Sequence, residues 1–193
     1  MFYGNTLFQP VVIKTAFGYD DANKDDEFAD LVKNIQYSMI LSIIALPGYF
    51  VSIALVGRRV CFKYMQTPQY IQMQGFAVMA ILYSIISYMW NDLTQHHWLL
   101  LMLYGSTFFF SNYGPNTTTF MLPSITFSPD CRSTLNGISA ACGKTGALLG
   151  SIMFEPIANT YGDAVVMFLC ALTSVFAGII TAYCVKPPRR MGA

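Results

Sequence analysis

Residues 111–146, with the sequence SNYGPNTTTFMLPSITFSPDCRSTLNGISAACGKTG, predict two apolar helices joined by a short polar turn. Counting from Asp130 in the turn, Asn116 lies fourteen residues before it and Lys144 fourteen residues after it. At ~1.5 Å per residue, two antiparallel helices would bring both side chains to about the middle of a ~30 Å hydrocarbon layer. The stretch therefore predicts an amide and an ammonium group facing each other inside a membrane.

Lys144 is the strongest indication of function in the sequence. A lysine near the bilayer centre costs about 2.5 to 3.5 kcal/mol on insertion scales, so we expect it to face a cavity or bind an anion. The alternative is a structural lysine paired with a carboxylate, but Glu155 lies three helical turns away, too far for direct pairing. Small residues around Lys144 let helices approach closely, which is also typical of simple helix packing: Gly137, Ser139, Ala140, Ala141, Gly143, Gly146, Ala147 and Gly150.

The preceding segment contains Gly114 and Pro115 within an otherwise apolar run. Because proline has no N–H and its ring crowds the preceding turn, the carbonyl of Ser111 is expected to lose its helical partner. Asn112 and Asn116 are four residues apart and share a face beside this carbonyl. We expect Asn112 to belong to the same polar pocket, although Pro115 alone is also typical of an ordinary kink in a membrane helix.

The composition indicates an integral membrane protein that lies in a lipid bilayer. The 193 residues are 54% hydrophobic and 11% charged, whereas a soluble domain carries about 25% charged residues. The net charge of +1 gives no reason to expect a nucleic-acid partner. His96 and His97 have no ligand partners at metal-binding spacing, and no Ser/His/Asp set can be assembled. We therefore expect no metal, no cofactor and no catalytic residues.

Five full-length apolar segments follow a shorter first one, which predicts an all-α polytopic protein with about six membrane crossings. Residues 1–18 are short of a full span and are expected to be the latter part of a helix truncated at Met1. Residues 19–33 contain six acidic side chains and predict a solvated loop. The five full-length segments are residues 34–56, 70–89, 97–122, 135–158 and 164–185.

Basic residues predict the orientation of the segments. One set of alternating loops, together with the C-terminal tail, contains seven basic residues, whereas the other set contains only Lys24 and Lys33. By the positive-inside rule, residues 57–69 form a basic cytoplasmic loop, residues 19–33 an acidic extracellular loop, and the C-terminus is cytoplasmic. The loop bracketed by Trp90 and Trp98 is expected at the outer interface, with both tryptophans in the aromatic belt.

Two motifs in the hairpin have a specific counterpart among membrane proteins. They are FFFSNYGPNTTTF at 108–120 and RSTLNGISAACGKTGALLG at 132–150. Here the chain resembles the proton-coupled inorganic phosphate transporters of the major facilitator superfamily, which occur in fungal and plant plasma membranes. By order and spacing, the resemblance covers residues 1–193 as a single transmembrane domain, helices seven to twelve of that fold. Supportive matches are FYGNTLFQ at 2–9, PGYF at 47–50, GRR at 57–59 and IQMQGF at 71–76.

The resemblance implies which residues bind substrate. In the family, the phosphate pocket takes a tyrosine from helix seven, an asparagine from helix ten and a lysine from helix eleven. By motif position these residues look like Tyr3, Asn116 and Lys144. An ammonium group supplies charge, and amide and phenol donors bind phosphate oxygens in a water-poor cavity.

The resemblance also implies a gate at the cytoplasmic ends of the helices. Arg58, Arg59 and Arg132 match arginines that acidic residues clasp in the family to hold one conformation closed. Two of those acidic positions are occupied here by Ala54 and Ile125. The loss of these two acidic residues affects the expected gate and leaves the expected phosphate pocket unchanged.

The function implied is symport of inorganic phosphate with protons across the plasma membrane, by a C-terminal half that is either a fragment of a longer chain or a half that needs an N-terminal six-helix half as its partner. The family's helix-seven tryptophan and its proton-coupling aspartate would lie before Met1. One alternative is another major facilitator porter, for a sugar or an organic anion, and Lys144 favours the anion. A second is a degenerate, non-transporting membrane protein with a regulatory or scaffold role, which Ala54 and Ile125 favour.

Overall fold

The structure is a computed structural model that describes residues 9–14, 27–60 and 64–185, and long helices dominate it. Residues 9–14 form a short helix, α1. The elements that follow in chain order are α2 (Glu27–Leu55), β1 (Arg59–Val60), β2 (Tyr64–Met65), α3 (Pro68–Tyr88), α4 (Trp90–Gln95), α5 (His97–Ser111), a π-helical segment (Asn112–Asn116), α6 (Thr117–Thr126), α7 (Arg132–Tyr161) and α8 (Asp163–Cys184).

The long helices follow the apolar segments of the sequence. α3, α7 and α8 begin and end within three residues of the predicted segments. α2 begins at Glu27, so residues 27–33 are helical, whereas the sequence predicted a loop there. Acidic groups near a helix N-terminus are favoured by the helix dipole, which explains a start inside the acidic stretch. The rest of that predicted loop lies outside the described residues.

Within the described residues, three helices are long and apolar enough to cross a membrane. They are Leu31–Leu55 of α2, Pro68–Tyr88 and Asp163–Cys184. α5 and α6 are each too short to cross a membrane because the π-helical segment separates them. α7 is long enough, but its glycines and charged residues lower its hydropathy. Phe50 and Phe176 on the long helices are both 65% exposed, as expected for side chains that face lipid. The predicted all-α polytopic membrane fold is confirmed.

The core lies among α1, α2, α3, α4, α5 and α8. Tyr83, Tyr104 and Met167 are completely buried there. α7 lies at the edge of this bundle: of its thirty residues, all of which the structure describes, none is buried. Phe154 and Ile157 only partly bury their side chains against the core. α7 therefore presents a long, uncovered surface.

Glycines allow three backbones to meet beside the π-helical segment. A Cβ atom on Gly75 would lie 2.6 Å from the Cα of Gly114 and 2.8 Å from the Cδ of Pro115. A Cβ atom on Gly48 would lie 3.0 Å from the backbone nitrogen of Tyr113. These distances are too short for a side chain, so α2, α3 and the π-helical segment pack backbone against backbone.

Two stretches predicted as loops contain short elements. β1 and β2 form an antiparallel hairpin within 57–69, with Arg59 opposite Met65 and Val60 opposite Tyr64. Gly57, at a φ of 78°, opens this hairpin in the left-handed region that glycine tolerates.

The stretch between the two tryptophans is mostly the helix α4. Trp90 is only 9% exposed, whereas Trp98 is 61% exposed. Trp90 starts α4 and packs into the core, whereas the sequence predicted a loop there, and the position of the two tryptophans at the outer interface stays a prediction.

Candidate functional site

The π-helical segment accommodates Pro115 without breaking the helix. In a π turn the backbone hydrogen bonds reach one residue further than in an α turn, which absorbs the missing proline N–H. The hydroxyl of Thr117 donates to the carbonyl of Asn112 at 2.6 Å. The single hydroxyl hydrogen of Thr118 is shared between the carbonyl of Gly114 and Oε1 of Gln72, each at 2.9 Å. Side-chain hydroxyls thus satisfy carbonyls that the wider turn leaves exposed.

The two asparagines share a face, as their spacing predicts, and they hold each other in place. Nδ2 of Asn116 donates to Oδ1 of Asn112 at 2.9 Å and also to the hydroxyl of Tyr49 on α2. Nδ2 of Asn112 donates to the carbonyl of Ala45 at 3.1 Å. Asn112 is 5% exposed, so its amide ties the π-helical segment to α2 and orients Asn116.

Tyr49 belongs to this polar group, although the sequence did not single it out. Its hydroxyl accepts a hydrogen bond from Asn116, which leaves the phenol O–H able to donate elsewhere. The side chain is 37% exposed. The PGYF motif at 47–50 could have indicated it, because Tyr49 places a polar hydroxyl inside an apolar helix.

Lys144 is exposed on α7. Within the described part of the chain it makes no hydrogen bond or ion pair, so no hydrogen bond joins it to Asn116. Asn116 lies ten residues before the end of α6, and Lys144 lies twelve residues after the start of α7. These counts correspond to about 15 Å and about 18 Å from the turn, so the depths are similar. The structure therefore gives the two residues similar depths, and their meeting in one pocket stays a prediction.

The remaining predicted residues lie apart from this group. Tyr3 is outside the described residues. Arg132 begins α7, and its Nε donates to the carbonyl of Phe127 across the turn at 3.4 Å. Arg58 is exposed beside the β hairpin, and Arg59 lies in β1. The gating role of the three arginines stays a prediction.

A second polar group, which the sequence did not indicate, ties three helices together. Nε2 of Gln72 donates to Oγ1 of Thr181 at 3.0 Å, and Oγ1 of Thr118 donates to Oε1 of Gln72 at 2.9 Å. Nε2 of Gln69 reaches the carbonyl of Thr181 at 3.4 Å. All four residues are buried, and the glutamines are three residues apart on one face of α3. These bonds stabilise the contacts among α3, α6 and α8.

Replacing Thr181 with valine should weaken this group. Valine keeps the shape of threonine but removes the oxygen that accepts from Gln72, so we expect a loss of about 1 to 2 kcal/mol in the free energy of unfolding. Denaturant titration of the purified protein measures this loss. Thr145→Val is the matched control, since the Thr145 hydroxyl is exposed and bonds only the carbonyl of Ala141 in its own helix. Equal losses in both variants would contradict the prediction.

Known proteins resemble the chain over most of its length. The profile of the family described as "Sugar (and other) transporter" matches residues 1–187. The chain is 32% identical over 188 residues to the probable inorganic phosphate transporter 1-6 of Arabidopsis thaliana, covering 93% of this chain and 34% of the relative. It is 33% identical over 172 residues to a putative inorganic phosphate transporter of Schizosaccharomyces pombe, covering 87% of this chain and 27% of the relative.

A third relative extends the likeness. The chain is 32% identical over 165 residues to the inorganic phosphate transporter 1-11 of Oryza sativa subsp. japonica, covering 85% of this chain and 28% of the relative. The chain thus spans between 27% and 34% of the length of these relatives. The chain belongs to the sugar (and other) transporter family of the major facilitator superfamily, and its similarity to inorganic phosphate transporters agrees with the resemblance found in the hairpin.

Proposed function

We propose that the chain forms the C-terminal half of an inorganic phosphate transporter that moves phosphate with protons across the plasma membrane. The observation that carries this proposal is the exposed Lys144 on a helix with no buried residue, in a chain whose relatives are named phosphate transporters. A cation at membrane depth is expected to face a cavity or an anion rather than lipid. Transport, rather than catalysis of a covalent step, is the activity that this chemistry supports.

Phosphate binding is assigned to Lys144, Asn116 and Tyr3, with Asn112 as the residue that positions Asn116. Lys144 supplies the charge, and charge-assisted hydrogen bonds to phosphate are the strongest contacts that such a site offers. Both Nδ2 hydrogens of Asn116 are donated, to Asn112 and to Tyr49, so the bond that Asn116 donates to phosphate would replace one of these two. Tyr49 is added to the proposed pocket because its side chain is partly exposed and its hydroxyl bonds Asn116.

The partner proposed for this chain is an N-terminal six-helix half. Transport by alternating access needs two halves that rock about a central site. α7 offers a surface that suits such a partner: a Cβ atom on Gly137, Gly143 or Gly146 would meet nothing within 4 Å. Small residues at these positions allow a second backbone to approach closely.

The orientation proposed follows from charge. Residues 57–69 and the C-terminus lie on the cytoplasmic side, and Arg58, Arg59 and Arg132 form a cytoplasmic gate together with residues of the partner half. The bond from Arg132 to Phe127 supports this role, because it places the guanidinium at the turn between α6 and α7.

Uptake of labelled phosphate into proteoliposomes tests the proposal. The chain is reconstituted alone and together with the N-terminal half of a relative, with an inward proton gradient. We expect uptake only when both halves are present, and we expect a protonophore to abolish it. Uptake of sugar in place of phosphate would favour another porter, and no uptake of any solute in the presence of the partner would favour a regulatory role.

A further inference from the structure

Charged residues are few on α7 and on the two helices that pack against it. α7 contains Arg132, Lys144 and Glu155, α6 contains no charged residue, and α8 contains only Asp163 in its first turn. Glu155 is exposed. Among the described residues it makes no hydrogen bond or ion pair. A carboxylate in the membrane part of a bundle is costly unless it faces a polar partner or water, so its position needs an explanation.

The helical geometry places Glu155 in line with Lys144. The two residues are eleven positions apart, which corresponds to about three turns, about 20° of rotation and about 16 Å along the helix axis. Ser151 lies between them, within about 20° of Lys144. Phe154 and Ile157, which pack against the core, point about 80° to 140° away from this line. The side of α7 that carries Lys144 also carries a negative charge, on the stretch towards Gly162.

We propose that Glu155 repels doubly charged phosphate more strongly than singly charged phosphate and so favours transport of the singly charged form. This inference rests on the proposed function and names a residue that sets which ionic form of phosphate is carried. An anion that approaches Lys144 along this side of α7 passes the carboxylate first. The repulsion is twice as large for a dianion as for a monoanion, and at close range in a medium of low dielectric it corresponds to a several-fold difference in occupancy.

A thiol-reactivity experiment tests the placement without requiring uptake. Ser151 is replaced by cysteine in the full chain in proteoliposomes, and its reaction with cationic and anionic methanethiosulfonates is followed by peptide mass spectrometry. The Ser151 hydroxyl bonds only the carbonyl of Leu148 in its own helix, at 2.8 Å, so the replacement should not disturb the fold. Because Glu155 is one turn away, Glu155→Gln should lower the ratio of cationic to anionic rates about three- to tenfold.

Met153→Cys is the matched control. This exposed position lies two residues from Glu155, so its side chain points to the opposite side of the helix. We expect Glu155→Gln to leave its ratio of rates unchanged. An unchanged ratio at position 151, or equal changes at positions 151 and 153, would overturn the placement of the carboxylate on the side of α7 that carries Lys144.

Transport kinetics test the selection itself. Inorganic phosphate changes from monoanion to dianion near neutral pH, so the KM for total phosphate is measured at acidic and at alkaline pH. Glu155→Gln should reduce the alkaline-to-acidic KM ratio about threefold or more, and Glu155→Asp should retain the ratio of the unmodified chain. An unchanged ratio with normal uptake would overturn charge selection. Absence of uptake in the unmodified chain reconstituted with the N-terminal half would instead contradict the proposed function, and the thiol ratios would still decide the position of Glu155.

Discussion

Lys144→Ala is expected to weaken phosphate binding about 100-fold, while leaving expression and helix content unchanged. The ammonium group supplies the positive charge of the proposed pocket, and its removal leaves only neutral donors for the anion. Because the side chain is exposed, truncating it removes no core contact. Titration calorimetry of phosphate against the reconstituted halves measures the affinity, and circular dichroism measures the helix content.

Two variants make this result specific. Lys144→Arg keeps the charge and should retain part of the affinity, although guanidinium geometry differs from that of an ammonium. Thr145→Ala changes the neighbouring exposed residue, whose hydroxyl bonds only the carbonyl of Ala141, and should bind phosphate normally. Equal phosphate affinity in Lys144→Ala and the unmodified protein would remove Lys144 from the site.

Gly75→Ala and Gly114→Ala are each expected to destabilise the bundle by about 3 kcal/mol. The new methyl group would lie 2.6 Å from a backbone carbon of the opposite helix in either variant. Backbone atoms cannot turn aside as a side chain does, so α3 and the π-helical segment would have to separate. Denaturant titration of the purified protein gives the change, and size-exclusion chromatography shows whether a compact species remains.

Gly146→Ala is the control for these two substitutions. It lies inside α7, where a Cβ atom would meet nothing within 4 Å, and alanine favours a helix over glycine by about 1 kcal/mol. The variant should therefore be at least as stable as the unmodified chain. If Gly75→Ala were as stable as Gly146→Ala, the close backbone contact between α3 and the π-helical segment would be wrong.

The helices could be predicted from the sequence because length and hydropathy decide them. Spans such as Pro68–Tyr88 and Asp163–Cys184 are long apolar runs, and a membrane leaves such runs few alternatives to a helix. The pairing of β1 (59–60) with β2 (64–65) and the helix α4 could not be predicted, since local hydrogen bonds hold these short elements. The start of α2 at Glu27 could not be predicted either, because acidic residues are common both in loops and in first helical turns.

The candidate site could be predicted only where a residue type is costly in its surroundings. Lys144 stands out because a membrane penalises its charge, and Asn112 and Asn116 stand out because they flank a proline. Gln72 and Thr181 are neutral and common in membrane helices, so neither gives a strong signal alone. They meet across 109 positions of sequence, a contact that the packing of α3 against α8 creates. Tyr49 was missed likewise, since its partner Asn116 is 67 positions away.

The π-helical segment has a consequence for the winding of the chain. The wider turn takes up about one residue more than an α turn, which equals about 100° of angular phase between α5 and α6. With an unbroken α-helix at this point, Thr118 would rotate away from Gln72 and Asn116 would rotate away from Tyr49. The number of residues between α5 and α6 therefore sets the direction in which Asn116 and Thr118 point. The loss of a single residue there would break the hydrogen bonds of α6 to its neighbours even if every polar side chain were kept.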